Sequence, residues 1–327
     1  MLADRRWRVL GAAPSKVGRK RNMAEVLRAG VIGAGVFGGH HAAQYARLEG
    51  VALVGVYDHH REHAEALAAR HGARAFADEG ALIAAADLIS IATPATAHAL
   101  GAVAALRAGR SVYVEKPMAT ELGDAERILA EARQRGLVAA CGFLERAGFA
   151  AMGLFAIPER PLSLEAARLG PPSPRNLDVS VVLDLMIHDL DLALALGEGR
   201  PAAVEARGSN LANDLVDEVA AEVHFEDGFA CRFHASRVAR RRERTMRLVY
   251  PSGEIRVDFL SHAFENTTPF CLDAGFAATP AGRDRLGASL AAFVGAVRGA
   301  GARPLADAED GARALDLALR VEQALGR

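Results

Sequence analysis

Apolar and polar positions form a regular pattern over the first part of the chain. Short, mostly apolar runs are separated by longer segments that contain stretches in which apolar positions recur every three or four residues. The apolar runs are Leu27–Ile32, Val51–Tyr57, Leu88–Ala92, Ser111–Val114 and Leu137–Cys141. Continuous apolar strands that alternate with amphipathic helices are typical of a parallel sheet with both faces covered. The pattern predicts an α/β fold that begins with a doubly wound parallel sheet.

The pattern changes after about Gly142. A proline-rich segment over 158–174 holds one short predicted strand near Leu162–Arg168, and a helix follows at about Val179–Leu196. Further predicted strands are separated by turn signals, and two helices end the chain. These elements are Ala203–Ser209, Val219–Phe225, Ala230–Ser236, Thr245–Tyr250, Glu254–Phe259, Arg283–Arg298 and Asp307–Leu325. Runs of strands flanked by helices predict an α+β domain with a mostly antiparallel sheet, one face of which is left open.

We therefore expect three parts in the chain. They are a tail over 1–22, a first domain over 23–142 and a second domain over 143–327. The last helices of the second domain could also pack against the first domain. The tail is rich in arginine and lysine but has no apolar stretch of the kind found in a signal peptide. We interpret it as a disordered tail or as residues ahead of a natural start at Met23, with a transit peptide as the less favoured alternative.

Composition narrows the possible functions. With 51% hydrophobic and 24% charged residues the chain has globular proportions. Its 39 basic and 40 acidic residues leave a net charge of −1, which disfavours a nucleic-acid binder because such a protein needs a positive excess. No stretch of the sequence is apolar for long enough to predict a membrane span. Cys141, Cys231 and Cys271 lie far apart, which predicts buried thiols and favours the cytoplasm.

A glycine motif follows the first predicted strand. Gly33, Gly35 and Gly38 have the spacing G-x-G-x-x-G, with Val36 and Phe37 between the last two. Such glycines permit a tight turn and a close approach of the backbone to a pyrophosphate, which a helix N-terminus attracts. This segment is therefore a predicted dinucleotide site.

An acidic residue at the end of the second strand supports the same site. Asp58 follows Gly38 by twenty residues, where a carboxylate can accept hydrogen bonds from a ribose diol. A carboxylate there repels a 2′-phosphate, which favours NAD over NADP, although Arg61 is near enough to weaken the preference.

Two further groups of residues are suited to chemistry. Glu115, Lys116 and Pro117 follow the strand Ser111–Val114, at the carboxyl edge where doubly wound sheets bind ligands. Asp184 and His188 lie four residues apart in a predicted helix, so they share a face and can interact directly.

In this combination the residues resemble those of a known family, the Gfo/Idh/MocA (glucose–fructose oxidoreductase and inositol dehydrogenase) oxidoreductases, from about Leu27 to the C-terminus. The matching residues are Gly33, Gly35, Gly38, Asp58, Thr93, Pro94, His98, Glu115, Lys116, Pro117, Asp184, His188 and Asp191. The resemblance implies a Rossmann domain that binds NAD through the matching residues up to Lys116. It also implies that Lys116 lies beside the nicotinamide and the reacting sugar hydroxyl, that His188 transfers the proton, and that Asp184 assists at the substrate.

Elementary chemistry agrees with those roles. Removing a hydride from a carbinol carbon also requires loss of the hydroxyl proton, and histidine is the side chain whose ordinary pKa best suits a base near neutral pH. An ammonium beside the oxygen stabilises developing alkoxide charge. Asp184 is expected to orient the imidazole and to favour its charged form.

The start of the second domain is similar to the branch of the family that oxidises UDP-amino sugars. The segments 142–146, 168–171 and 178–182 carry this similarity, together with Arg175. It implies oxidation at the 3-position of a UDP-N-acetylamino sugar, on a route to the diamino sugar of lipid A. The chain departs from the branch at Phe143, where histidine is usual, and at 147–149, where Phe-Asn-Pro is usual.

A nucleotide sugar also carries a diphosphate, which arginine forks bind well. Arg146, Arg168 and Arg175 are the predicted contacts, and Glu145 and Asp191 are further candidate substrate residues. The arginine-rich run over 237–247 is interpreted as a solvated β-hairpin, with an acidic partner surface as an option. His59, His60 and His63 lie close together, but we expect no metal site there.

Three functions remain open on the sequence alone. They are a UDP-sugar dehydrogenase, a dehydrogenase of a free sugar, an inositol or a tetrapyrrole, and a catalytically silent NAD-binding regulator. The joint presence of Lys116, Asp184 and His188 counts against the regulator. The open sheet face, together with the resemblance, suggests a homodimer or homotetramer, and we expect neither nucleic acid nor membrane as a partner.

Overall fold

A computed structural model of the protein describes residues 26–173, 178–210, 215–300 and 303–326. The predicted tail over 1–22 and the candidate residue Arg175 lie outside these ranges.

The first domain is built on a six-stranded sheet in which every neighbouring pair is parallel. Its strands are β1 (Leu27–Ile32), β2 (Val51–Tyr57), β3 (Arg74–Ala75), β4 (Leu88–Ile91), β5 (Ser111–Val114) and β6 (Ala139–Cys141). The strand order is β3-β2-β1-β4-β5-β6, so the order reverses between β1 and β4. Ligands of doubly wound sheets bind at the carboxyl ends of the strands at this reversal. The predicted parallel sheet is confirmed.

Five helices accompany this sheet in the described residues. They are α1 (Val36–Arg47), α2 (Arg61–Arg70), α3 (Glu79–Ala85), α4 (His98–Arg107) and α5 (Leu122–Arg135). Apolar side chains from strands and helices interlock on both faces, and the central strands β4 and β5 are buried along their whole length. This burial explains why those strands have continuous apolar sequences.

The second domain contains a seven-stranded sheet. Its strands are β7 (Ser163–Leu169), β8 (Pro201–Ser209), β9 (Glu218–Phe225), β10 (Ala230–Ser236), β11 (Glu243–Tyr250), β12 (Gly253–Asp258) and β13 (Ala263–Asn266). They lie in the order β13-β12-β11-β7-β10-β9-β8. The pairings are antiparallel except that of β7 with β10, so the predicted mostly antiparallel sheet is confirmed.

The arginine-rich run does not form the predicted hairpin. β10 and β11 are consecutive in sequence, but β7 lies between them and pairs with both. The connection between them therefore passes over one end of the sheet instead of making a tight turn. The prediction was wrong because β7 precedes both strands by more than sixty residues. A local sequence pattern does not indicate that such a distant strand pairs between two consecutive ones.

The remaining helices cover one face of the second sheet or return to the first domain. They are α6 (Glu145–Met152), α7 (Ile187–Leu196), α8 (Pro280–Arg283), α9 (Arg285–Val297) and α10 (Ala308–Ala324), and a π-helical turn at Val182–Met186 leads into α7. Leu290 and Phe293 of α9 pack in the same core cluster as Leu27 and Tyr113 of the first sheet. The hydroxyls of Tyr113 and Ser289 are 2.9 Å apart, so α9 is also tied to β5 by a hydrogen bond.

Two remaining expectations concern the thiols and the membrane. Cys141 and Cys231 are buried as expected, but Cys271 is exposed. Cys271 lies in an irregular segment after β13, where no sheet or helix covers it. Among the described helices, none combines the length and apolar character that crossing a bilayer requires.

Candidate active site

The glycine turn after β1 has the close contacts that its spacing predicts. Gly33 has φ +98°, and a Cβ atom there would lie 2.5 Å from the carbonyl oxygen of Ala92. A Cβ atom on Gly38 would lie 1.8 Å from the carbonyl oxygen of Gly33. Side chains are therefore excluded at both positions, and the loop, helix α1 and the end of β4 come into direct contact.

Gly35 differs from its two neighbours in the motif. A Cβ atom there would meet nothing within 4 Å, so the space beside it is open. Helix α1 begins at Val36 and Phe37 with no side-chain cap on its first N–H groups. An open space beside an uncapped helix N-terminus fits the pyrophosphate of a dinucleotide.

Asp58 lies at the carboxyl end of β2, next to this turn. Its carboxylate accepts hydrogen bonds from the backbone N–H of Ala34 at 2.6 Å and of His60 at 2.8 Å. Asp58 thus holds the glycine loop, and a carboxylate with two such bonds still has lone pairs for a ribose hydroxyl. Arg61 turns away from it and pairs with Glu65 at 2.7 Å.

His98 connects the two loops that follow β4 and β5. Its Nδ1 lies 2.7 Å from the carbonyl oxygen of Pro117, and its Nε2 lies 3.0 Å from that of Thr93. A neutral imidazole has one N–H and donates it to one of these two carbonyl oxygens, so the ring lies packed between both loops, and the predicted part of His98 in cofactor binding stays a prediction. Its buried imidazole, whose pKa is lowered chiefly by burial, positions these loops.

Thr93 and Pro94 follow β4 beside the glycine turn. The hydroxyl oxygen of Thr93 is buried and, among the described residues, has no hydrogen-bond partner. A buried hydroxyl without a partner is costly, which fits a site where a bound dinucleotide supplies one.

The sequence patterns did not predict a buried network of polar side chains next to Glu115. The Nε2 atom of His41 lies 2.8 Å from a carboxylate oxygen of Glu115, and its Nδ1 lies 2.9 Å from the hydroxyl of Ser90. Tyr45 contacts the same hydroxyl at 2.8 Å. The available signal was the position of His41, three residues after Gly38, which places both on the buried side of α1.

Lys116 lies at the carboxyl end of β5, directly after Glu115. Its ammonium donates hydrogen bonds to the carbonyl oxygen of Asp184 at 2.7 Å and to the Asp184 carboxylate at 3.0 Å. The side chain of Lys116 is 13% exposed, so this contact fixes an ammonium group at the border between the two domains.

Asp184 contacts this lysine, and the structure shows no hydrogen bond between Asp184 and His188 in the described residues. The expected role of Asp184 in orienting the imidazole is therefore corrected. Asp184 lies in the π-helical turn at Val182–Met186, where the prediction assumed a regular α-helix.

His188 lies in the first turn of α7 and lines the cavity described below. Its Nδ1 atom is buried and lacks a hydrogen-bond partner within the described part of the chain. The ring of Phe143 packs edge-on against the imidazole, with centroids 6.2 Å apart. Burial, followed by the charges of Lys116, Arg168 and Arg244, holds the pKa of His188 well below its usual range. The imidazole is therefore neutral near pH 7, as a proton acceptor must be.

Two of the arginines predicted to bind a diphosphate belong to buried ion pairs. Arg146 contacts Asp191 through two hydrogen bonds of 2.8 and 2.7 Å, and its other nitrogen lies 3.0 Å from Asp310. Neither Arg146 nor Asp191 lines the cavity described below. Each of the two residues satisfies the charge of the other, and their predicted contact with the substrate stays a prediction.

Arg168 is held in the same way. It donates two hydrogen bonds to Asp189, at 3.0 and 2.8 Å, and one to Glu145 at 3.2 Å. Glu145 is also paired with Arg285. Arg168 and Glu145 do reach the cavity wall, but their charged groups are engaged with one another and with these neighbours.

These groups surround a cavity of about 420 Å³ between the two domains. Glu115 and Lys116 line it from the first domain, and Asp184 and His188 line it from the second. Phe37, in the first turn of α1, also belongs to its wall, so the cavity reaches the glycine turn. No group of histidine, cysteine and acidic residues suited to a metal ion occurs in the described ranges, the histidines after Asp58 included.

Comparisons with known proteins agree with this geometry. Residues 27–143 match the model of an oxidoreductase family with an NAD-binding Rossmann fold, and residues 168–256 match the GFO/IDH/MocA C-terminal domain. The chain is 36% identical to UDP-N-acetylglucosamine 3-dehydrogenase of Acidithiobacillus ferrooxidans over 91% of its own length and 97% of that protein. A solved structure of that enzyme covers the same shares of both chains with a TM-score of 0.84. An inositol 2-dehydrogenase of Cereibacter sphaeroides is 35% identical, but over only 51% of this chain and 52% of its own.

Proposed function

The chain belongs to the Gfo/Idh/MocA family of oxidoreductases, and from that premise we propose that it oxidises the 3-hydroxyl of a UDP-N-acetylamino sugar with NAD. The observation that carries the proposal is the meeting of the Lys116 ammonium and the His188 imidazole at one cavity that reaches the glycine turn. Support for this substrate comes from the UDP-N-acetylglucosamine 3-dehydrogenase, which is similar over nearly its whole length. The inositol dehydrogenase is similar over half of its length only.

His188 acts as the base in this proposal. A neutral imidazole accepts the hydroxyl proton as the carbon loses its hydride, which bound NAD takes up. The charges that lower the pKa of His188 keep it unprotonated before substrate arrives. They also make the imidazole a weaker base. Proton transfer to it therefore requires another group that stabilises the negative charge left on the substrate oxygen.

Lys116 supplies that stabilisation. Its ammonium favours negative charge on the reacting oxygen in a site with little water, and Asp184 keeps the ammonium in place through two hydrogen bonds. Asp184 is therefore a positioning residue for Lys116 in this mechanism.

We propose NAD rather than NADP as the cofactor. The carboxylate of Asp58 lies beside the glycine turn and would repel a 2′-phosphate. Arg61, the nearby cation that could offset this repulsion, is paired with Glu65.

We also propose that the open face of the second sheet binds a second copy of the chain. This face forms a concave groove of about 1350 Å³ lined by four arginines (Arg207, Arg232, Arg247 and Arg256) and five carboxylates (Glu165, Glu205, Glu222, Asp258 and Glu265). A surface that carries many groups of both charges can be complementary to itself across a two-fold axis. Light scattering should give a dimer or tetramer, and Arg247→Glu should shift it towards the monomer.

The proposed reaction is tested with a panel of substrates. The protein is incubated with NAD or NADP and with UDP-N-acetylglucosamine, N-acetylglucosamine or myo-inositol, with hydroxylamine present to trap a ketone. We expect NADH to form fastest with NAD and UDP-N-acetylglucosamine, and NMR to place the trapped ketone at carbon 3. Oxidation of myo-inositol or the free sugar without oxidation of the UDP-sugar would overturn the proposal.

A further inference from the structure

The cavity wall has more positive than negative charge. Among the described residues it contains six cations, namely Lys116, Arg168, Arg237, Arg242, Arg244 and Arg285, and three carboxylates, namely Glu115, Glu145 and Asp184. A cavity with such an excess attracts an anion.

Most of these charged groups already have partners. Lys116 is paired with Asp184, Arg168 and Arg285 share Glu145, and Arg237 is bound to the buried Asp217 at 2.8 Å. The remaining carboxylate, that of Glu115, contacts His41. The protein's own acidic groups therefore satisfy four of the six cations.

Arg242 and Arg244 are the exceptions. The side chain of neither has a hydrogen bond or ion pair with another described residue, although both reach the cavity wall. Arg242 lies directly before β11 and Arg244 is its second residue, and both side chains line the same cavity. Arg244 is half-buried, and burial, followed by the charge of Arg168, lowers its pKa. A cation that is partly desolvated without a partner weakens the fold, so a ligand is the natural source of the missing anion.

We propose that Arg242 and Arg244 bind the diphosphate of the nucleotide-sugar substrate and so hold the sugar ring against His188 and Lys116. This inference rests on the function proposed above. Planar guanidinium groups bind phosphate oxygens in a bidentate manner, and two neighbouring forks match two linked phosphates.

The position of the pair agrees with this role. Arg244 is near enough to His188 for its charge to act on the imidazole. In a UDP-sugar the diphosphate is attached to carbon 1 of the ring that carries the reacting carbon 3. The anion must therefore lie within one sugar ring of the base. The cofactor's own diphosphate has a separate place, at the glycine turn of the first domain.

Single substitutions test the proposal. Arg242→Gln and Arg244→Gln remove one fork each, and Arg244→Lys keeps the charge without the fork. Arg241→Gln is the matched control, because Arg241 is an exposed neighbour that does not line the cavity. The measurements are kcat and KM for UDP-N-acetylglucosamine, the inhibition constant of UDP, and the affinity for NADH as a check of the fold.

We expect Arg242→Gln and Arg244→Gln each to raise the KM and the inhibition constant of UDP about tenfold or more, with a much smaller change in kcat. Arg244→Lys should recover part of this loss, and Arg241→Gln should resemble the wild type. If Arg244→Gln does not fold, Arg242→Gln still gives the answer, because its side chain is exposed.

The possible failures are distinguishable. If the wild type oxidises UDP-N-acetylglucosamine but both variants match Arg241→Gln, the inference is wrong and the proposed function stands. A fall in kcat at constant KM would assign Arg244 to the chemistry of His188 and would also overturn the inference. If the wild type neither binds UDP nor oxidises a UDP-sugar, the proposed function and the inference fall together.

Discussion

The second domain contains two pairs of arginines with opposite surroundings. Arg146 and Arg168 are almost fully buried, and each is bound by two carboxylates. Arg242 and Arg244 lie at the cavity and have no acidic partner among the residues that the structure describes. All four are arginines near the same cavity, so residue type and proximity do not separate them.

The comparison shows that nearby carboxylates distinguish an arginine that stabilises the fold from one that is available to bind a ligand. A buried guanidinium surrounded by aspartate and glutamate is part of the fold, because removing it leaves those acids without a counter-charge. A guanidinium that faces a cavity without such acids is available to an anionic ligand. His188 belongs with the second kind, since its Nδ1 atom is also left without a partner in the described chain.

The largest effect is expected where an unpartnered group performs the chemistry. His188→Ala removes the base, and we expect kcat to fall by about 10²- to 10⁴-fold while NADH still binds. His71→Ala is the matched control, because His71 lies at the end of α2 and lines neither the cavity nor the groove on the open sheet face. Turnover near that of the wild type in His188→Ala would show that His188 is not the catalytic base.

A smaller but still large effect is expected where an arginine is paired. Arg168→Ala leaves Asp189 buried without a counter-charge and leaves Glu145 with Arg285 alone, so the free energy of unfolding should fall by about 3–5 kcal/mol. The control is Arg133→Ala, whose ion pair with Glu309 is exposed and contributes about 0–1 kcal/mol. Denaturant unfolding measures both. Similar losses in the two variants would remove the distinction between structural and ligand-binding arginines.

The smallest effect is a shift in pH dependence. The pKa of His188 is held well below its usual range by burial and by nearby cations, so the acid limb of kcat/KM should lie below pH of about 6.5. Arg244→Gln removes one of these cations, which makes protonation easier and raises the pKa of His188. The acid limb should then move to higher pH. An acid limb that stays in place would show that Arg244 does not act on the imidazole.

The parts of this molecule that could be predicted are those set by neighbours in sequence. The strand β1, the glycine turn and Asp58 follow from apolar runs and fixed spacings, and the structure has the predicted parallel sheet. Lys116 and His188 lie at one cavity, although their roles remain a proposal.

The parts that could not be predicted depend on partners far apart in the chain. The contact between His41 and Glu115 spans 74 positions, and that between Arg146 and Asp191 spans 45. The strand β7 enters between β10 and β11 from a distant position, and a π-helical turn forms at Val182–Met186 where an α-helix was predicted. A sequence pattern gives the identity of each charged residue, but it does not show which residue of opposite charge lies beside it in the fold.

The most direct test of the central claim follows one hydrogen atom. UDP-N-acetylglucosamine that carries deuterium at carbon 3 is incubated with NAD and the protein, and the reduced cofactor is analysed by mass spectrometry. We predict that deuterium appears on the nicotinamide and that the reaction is slower than with the unlabelled sugar. Reduced cofactor without deuterium, or no reduced cofactor at all, would contradict the assignment of this cavity to oxidation at carbon 3 of a UDP-sugar.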